Sequence, residues 1–120
     1  MAQVKIKRVY EDASDEDGFR VLVDRLWPRG MSKERLHPDL WAKGLAPSNE
    51  ARKEFAHKAE NFQSFRARYL MELDQSDEAS SLAAELLSHD VVTLLYAAKD
   101  PQVNHAVILR DWLLSQARAS

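Results

Sequence analysis

The fold is decided by residues 91–101, which read VVTLLYAAKDP. Residues 91–96 are almost all apolar and several are β-branched, which is typical of a strand covered on both faces. Asp100 and Pro101 fit the N-cap and the first position of a helix. We therefore predict a helix over residues 102–117, packed against the strand that precedes it.

A second buried strand is predicted within residues 19–26 (FRVLVDRL), centred on residues 21–23. Residues 4–7 (VKIK) alternate between apolar and basic side chains, as a strand with one wet face does. Two buried strands among helical segments indicate an α/β fold. We expect a single domain over residues 1–120, with a small, mostly parallel β-sheet packed by helices.

The direction of the first two strands stays open at this point. The acidic connection between them, residues 11–18 (EDASDEDG), is short enough for a hairpin, which would send the two strand ends to opposite edges. Helices are predicted after the caps Ser48 and Ser76 and along the apolar stripe of residues 62–73. One or two helical turns are predicted over residues 32–45.

Composition excludes several classes of protein. A net charge of −2 argues against a dedicated basic nucleic-acid binder, although twelve of the 17 basic residues lie in the first 60 positions. No apolar run is long enough for a membrane helix, and there is no cysteine for a disulfide or a thiolate metal site. The chain has no glycine-rich nucleotide motif and no metal-ligand spacing among its histidines. We expect a cytoplasmic protein without a cofactor, a bound metal or a membrane partner.

Polar residues follow the second strand at its carboxyl end. Ligands of open parallel sheets bind beyond the carboxyl ends of the strands. Arg25 and Arg29 bracket a proline turn there, and each guanidinium offers a planar fork for carboxylate or phosphate. We predict that these two arginines clamp an anion, and that Asp24 orients Arg25 or serves as a base. The structural alternative is that Asp24 pairs with an arginine while Arg29 is solvated.

The end of the third strand supplies further candidates. Lys99 and the helix start would add positive potential, and Tyr96 would supply a hydroxyl. His105, next to Asn104, would hydrogen-bond the ligand or act as an acid–base catalyst. We predict Tyr96, Lys99 and Asn104 as ligand-binding residues and His105 and Asp24 as catalytic ones. The alternative for His105 is a packing role.

Three stretches also resemble a known family. Residues 18–31 (GFRVLVDRLWPRGM), 36–55 (LHPDLWAKGLAPSNEARKEF) and 93–113 (TLLYAAKDPQVNHAVILRDWL) look like the short, YeaO-like branch of the bacterial domain-of-unknown-function family 488. The resemblance covers nearly the whole chain and implies a compact α/β domain, with no established activity. It also implies that Arg25 and Arg29 match the arginines that bracket the proline turn in both branches.

Longer members of that family carry cysteines in the last motif. On this chain Tyr96 stands at the place of the first cysteine, Ala98 at that of a glutamate and Asn104 at that of the second cysteine. His105 matches the family's histidine, whereas Ala106 replaces an arginine. The resemblance therefore implies that thiol or thiolate-metal chemistry is lost here.

Together these observations predict a domain that binds a small anionic or phosphate-bearing ligand at the carboxyl edge of its sheet. Whether a reaction follows binding is left open. A nucleic-acid accessory protein is one alternative, and a protein-interaction module presenting Trp27, Trp41 and Trp112 is another. The basic face of a nucleic-acid binder would comprise Lys5, Lys7, Arg8, Arg20, Arg25, Arg29 and Lys33, with Trp27 or Tyr10 for stacking.

Overall fold

The computed structural model describes residues 2–56 and 58–119. A parallel sheet of four strands lies at its centre, in the order β1-β4-β2-β3. The predicted α/β fold with a parallel sheet is therefore confirmed. The strands are β1 (Gln3–Arg8), β2 (Phe19–Leu22), β3 (Leu40–Trp41) and β4 (Val91–Tyr96). The helices are α1 (Lys33–Leu36), α2 (Asn49–Phe55), α3 (Phe62–Gln75), α4 (Asp77–Leu87) and α5 (His105–Ala119).

Alternate residues of β2 and β4 enter two separate cores. Val21 and Leu94 join the larger core, which α2, α3, α4 and α5 cover. Leu22 and Leu95 point to the other face, into a smaller core with Val9. Successive side chains of a strand point to opposite faces, so a strand with both faces covered must be apolar throughout. This burial explains the continuous apolar runs that predicted these strands.

The hairpin interpretation of the first connection is wrong. β1 and β2 both pair in parallel with β4, which lies between them. The connection therefore runs back across the second face of the sheet, where the Thr93 hydroxyl donates to the carbonyl of Asp17 at 2.7 Å. Gly18 then re-enters the sheet with a φ of 63°, and a side chain there would collide with the carbonyl of Val91.

Serine caps begin the middle helices as predicted. The Ser48 hydroxyl accepts from the backbone of Ala51 at 3.1 Å, and the Ser76 hydroxyl accepts from that of Ala79 at the same distance. α2 ends at Phe55, because the next residue, Ala56, adopts a left-handed φ of 48°. β3 was not predicted, since two residues are too few to show a period.

The last helix begins three residues later than predicted. Asp100 Oδ1 accepts from the next two free backbone N–H groups, at 2.9 and 3.0 Å, and so closes a separate turn. Asn104 Oδ1 instead accepts from the backbone of Val107 at 3.1 Å. Asn104, not Asp100, is therefore the cap of α5, and His105 is its first residue.

Candidate functional site

A cavity of about 300 Å³ opens at the carboxyl edge of β2 and β4. Because these strands are parallel neighbours, the loops that follow them meet at one edge of the sheet. Asp24 and Arg25 come from the first loop, and His105 comes from the start of α5. α2 and α3 close the remaining sides. With Asn104, the structure thus brings together four of the residues that were predicted from two distant motifs.

Asp24 is held in place by neighbouring loops. Its Oδ2 accepts from the backbone of Ala97 at 3.0 Å, and its carbonyl accepts from the Trp41 indole at 2.8 Å. Its Oδ1 is buried, makes no hydrogen bond within the described residues, and lies 3.1 Å from His105 Nε2. Asp24 therefore faces the histidine and does not orient Arg25, which corrects the sequence prediction.

The neighbours of His105 determine which ring nitrogen carries its proton. Nε2 lies 3.1 Å from the carbonyl oxygen of Val23 and 3.1 Å from Asp24 Oδ1. Both neighbours are acceptors, so Nε2 is assigned as the donor in the neutral ring. Nδ1 is then left as an acceptor, and protonation would turn it into a donor. The ring lines the cavity beside the N-terminus of α5.

Two arginines reach the cavity, and only one of them was predicted. Arg25 donates from Nε and Nη2 to the carbonyl of Pro47, at 3.3 and 3.2 Å. Among the described residues, the side chain of Arg52, on α2, makes only a long hydrogen bond of 3.4 Å to Asn49 Oδ1. A guanidinium carries five N–H donors, so both keep donors for a ligand.

The predicted partner of Arg25 lies elsewhere. Arg29 is exposed and does not line the cavity, and its carbonyl accepts from the Tyr10 hydroxyl at 3.0 Å. The structure therefore does not form a clamp from Arg25 and Arg29. The second arginine that borders the cavity with Arg25 is Arg52. Its position three residues before the buried Phe55 was a usable signal, since residues three apart share a helix face.

The rest of the cavity wall is apolar. Phe55 and Phe65 stack with their ring centroids 4.5 Å apart and their planes 10° from parallel. Leu26 and Pro47 also line the cavity, and Leu26 is 65% exposed. None of these four residues was predicted as part of a site, because apolar residues on predicted helices and turns are usually assigned to the core.

The other predicted site residues have different surroundings. Tyr96 is buried in the larger core, where desolvation raises the pKa of its hydroxyl, and it does not line the cavity. Lys99 is exposed and also lies off the cavity. Asn104 lines the cavity, but it is fully buried and its amide donates to the carbonyl of Asp100 at 2.7 Å.

The basic residues of the first strands do not form one exposed face. Arg20 is 4% exposed, and its guanidinium bonds Asp17 and the carbonyl of Leu36. Lys7 also bonds Asp17, at 2.8 Å. Trp112 is buried in the larger core, whereas Trp27 and Trp41 are half-buried and meet edge to face.

The described part of the chain contains neither a metal-binding cluster nor a membrane-spanning helix. Across residues 2–56 and 58–119, no three His, Cys, Asp or Glu side chains gather as a metal site requires. His57 lies outside these residues. None of the helices that the structure describes has the length and apolar character needed to cross a membrane.

Comparison with known proteins places the chain in a family. The model described as "Inactive DUF488-N3 subclade" matches residues 3–120. The uncharacterised protein YeaO of Escherichia coli K12 is 45% identical over 112 residues, which are 93% of this chain and 97% of that protein. The uncharacterised proteins Mb3100c of Mycobacterium bovis and Rv3073c of Mycobacterium tuberculosis are each 40% identical over 111 residues, 92% of this chain and 93% of theirs.

No solved structure matches the chain significantly. The family match and the YeaO match each cover more than nine-tenths of the chain, and both agree with the motifs identified from the sequence. The chain belongs to the DUF488 family of unknown function, in the subclade described as inactive.

Proposed function

We propose that the protein is a non-catalytic domain that binds a small anionic ligand in the cavity at the carboxyl edge of its sheet. Arg25 and Arg52 would hold the anionic group, and His105 Nδ1 would accept a hydrogen bond from a donor elsewhere on the ligand. One observation carries the proposal: two guanidinium groups with unused donors border the same cavity.

The charges around the cavity favour an anion. Two arginines face a single carboxylate, Asp24, whose Oδ2 is already bonded to the backbone. α5 begins at the cavity, and the N-terminus of a helix carries a partial positive charge. An anion placed between the two guanidinium groups would thus meet a positive potential from three sources.

The same residues argue against catalysis. Of the side chains that act as nucleophiles, the described lining contains only Asp24 and His105, and Asp24 Oδ1 lies 3.1 Å from His105 Nε2. The longer members of the family that this chain resembles carry cysteines at the positions of Tyr96 and Asn104. In this chain Tyr96 is part of the larger core and Asn104 caps α5. The family description of an inactive subclade agrees with a site that has kept binding and lost chemistry. Asp24 and His105 would then orient a ligand.

The test is a thermal-unfolding titration with sulfate, phosphate and a short oligonucleotide. The variants are Arg25→Ala and Arg52→Ala, and Arg29→Ala is the matched control because Arg29 lies outside the cavity. A ligand at about 100 times its dissociation constant adds about 2.7 kcal/mol, or about 10 °C for a domain of this size. We expect saturable stabilisation by at least one small anion, lost in the first two variants and kept in the control.

Two results would contradict the proposal. One is no stabilisation by any small anion. The other is equal stabilisation of all three variants, which would mean binding away from the cavity. Stabilisation by the oligonucleotide alone, falling steeply with salt, would instead favour the nucleic-acid alternative, because released counterions set that slope.

A further inference from the structure

We infer that the ligand of this cavity is a small monocarboxylate with an apolar body, and that Leu26 folds over that body. The inference rests on the proposed function, since it assumes that an anion binds between Arg25 and Arg52. It adds the charge of the ligand, the chemistry of its uncharged part and a residue that would recognise that part.

The size of the cavity exceeds that of a bare inorganic anion. A volume of about 300 Å³ is more than a single phosphate or sulfate ion occupies. The cavity therefore has room for a ligand with a body in addition to its charged group.

The walls of the cavity determine the chemistry of that body. The stacked pair Phe55 and Phe65 lines it, as do Pro47 and Leu26. Asp24 and Arg25 follow β2 and His105 begins α5, whereas Arg52 lies on α2, three residues before Phe55. A ligand with its charge at the arginines would thus lay its remaining surface against apolar side chains.

Leu26 is the exposed apolar residue that a ligand in this cavity would cover. Only two large hydrophobic residues are exposed in the described part of the chain, Leu26 at 65% and Met71 at 53%. Leu26 lines the cavity, and Met71 does not. An apolar ligand would remove the Leu26 side chain from water, which is the favourable direction of the hydrophobic effect.

The charge balance favours a single negative charge. The two guanidinium groups of Arg25 and Arg52 and the carboxylate of Asp24 sum to one net positive charge at the cavity. A carboxylate matches that balance, and its two oxygens match the planar fork of a guanidinium. A phosphate dianion would exceed it and would also bring a strongly hydrated group against apolar walls.

The experiment is calorimetric titration of the whole protein with acetate, benzoate and inorganic phosphate. The variants are Arg25→Ala and Leu26→Ser, and Met71→Ser is the matched control. We expect benzoate to bind at least about tenfold more tightly than acetate, or about 1.4 kcal/mol. Leu26→Ser should weaken benzoate several-fold and leave acetate unchanged. Arg25→Ala should weaken both carboxylates, and Met71→Ser should change neither.

The outcomes separate this inference from the proposed function. Binding of acetate or phosphate as tight as that of benzoate, or benzoate binding unaffected by Leu26→Ser, would overturn the inference and leave an anion site. No binding of any of the three probes would overturn both. Leu26 is exposed, so its substitution should leave the fold intact, and a thermal-unfolding curve of each variant checks this.

Discussion

Two clusters of charged residues lie on the same sheet, and they are bonded in opposite ways. In the closed cluster, Asp17 of the connection between β1 and β2 accepts from Lys7 at 2.8 Å and from Arg20 at 2.5 Å. In the open cluster, at the carboxyl edge of the sheet, Arg25 and Arg52 keep unused N–H donors around the cavity. A charged cluster therefore indicates ligand binding only where some of its N–H donors lack a partner in the protein and are accessible to a ligand.

The closed cluster has every feature of a structural network. Asp17 is 3% exposed and Arg20 is 4% exposed. Burial alone would raise the pKa of Asp17, but hydrogen bonds from Lys7, from the backbone of Ser14 and from Arg20 outweigh it and hold that pKa below its ordinary value. This network ties the crossing connection to the sheet, and no ligand is needed to satisfy it.

Breaking the closed cluster should have the largest effect. Asp17→Asn would leave the Arg20 guanidinium buried without its counter-charge, which typically costs about 3–5 kcal/mol. Urea unfolding would measure it. The control is Asp15→Asn, an exposed carboxylate in the same turn, for which a change within about 0.5 kcal/mol is expected. Equal effects of the two substitutions would show that the network contributes nothing special.

The cap of α5 should come next. Asn104→Ala removes the side chain that accepts from Val107, and loss of an N-cap costs about 1 kcal/mol, within a range of about 0.5–2. Asp100→Ala should cost less, since Asp100 closes only the exposed turn before the helix. Urea unfolding of both variants makes the comparison. A larger loss from Asp100→Ala would restore the earlier helix start that its sequence suggested.

Protonation of Asp17 in acid should have a smaller effect on the free energy of unfolding. Because its pKa in the folded protein lies below the ordinary value of 3.8, ionised Asp17 stabilises the fold above that pH. This stabilisation is lost as the pH falls through the lowered pKa. An NMR titration of the Asp17 carboxyl carbon should give a midpoint below 3.8. A midpoint above that value would mean that burial outweighs the hydrogen bonds.

The open cluster should be the least costly to change. Arg52 is exposed and its side chain makes one long hydrogen bond within the described part of the chain, so Arg52→Ala should alter the free energy of unfolding by no more than about 0.5 kcal/mol without a ligand. Urea unfolding in a buffer without multivalent anions would measure this. A loss of several kcal/mol would mean that Arg52 is structural, and the contrast between the two clusters would collapse.

Much of the fold follows from local sequence, and the exceptions share a cause. The apolar runs of β2 and β4 and the serine caps of α2 and α4 are local signals, and each predicted its element. The path of the first connection depends on Asp17 meeting Thr93, which is 76 residues away. A contact between residues so far apart in sequence is visible only in the folded chain. The sequence therefore did not decide whether β1 and β2 are antiparallel, as in a hairpin, or parallel.

The site was predictable to the extent that it follows from the strands. Parallel pairing of β2 and β4 brings Asp24, Arg25 and His105 to one edge, as their positions after the strands suggested. Local spacing puts Arg52 on the same face of α2 as Phe55, but whether that face borders the cavity depends on how α2 packs in the folded chain. Asp100 and Asn104 are both good caps four residues apart, and only hydrogen bonds decide between them.

The most direct test of the contrast is an NMR titration that observes the arginine Nε–H signals while a small anion, benzoate or sulfate, is added. Assignment uses the alanine variants of Arg25, Arg29 and Arg52. The account predicts saturable shifts for Arg25 and Arg52 with a common dissociation constant, and no saturable shift for Arg20 or Arg29. Shifts that are equal for all arginines, or that never saturate, would contradict a binding site at the carboxyl edge of the sheet.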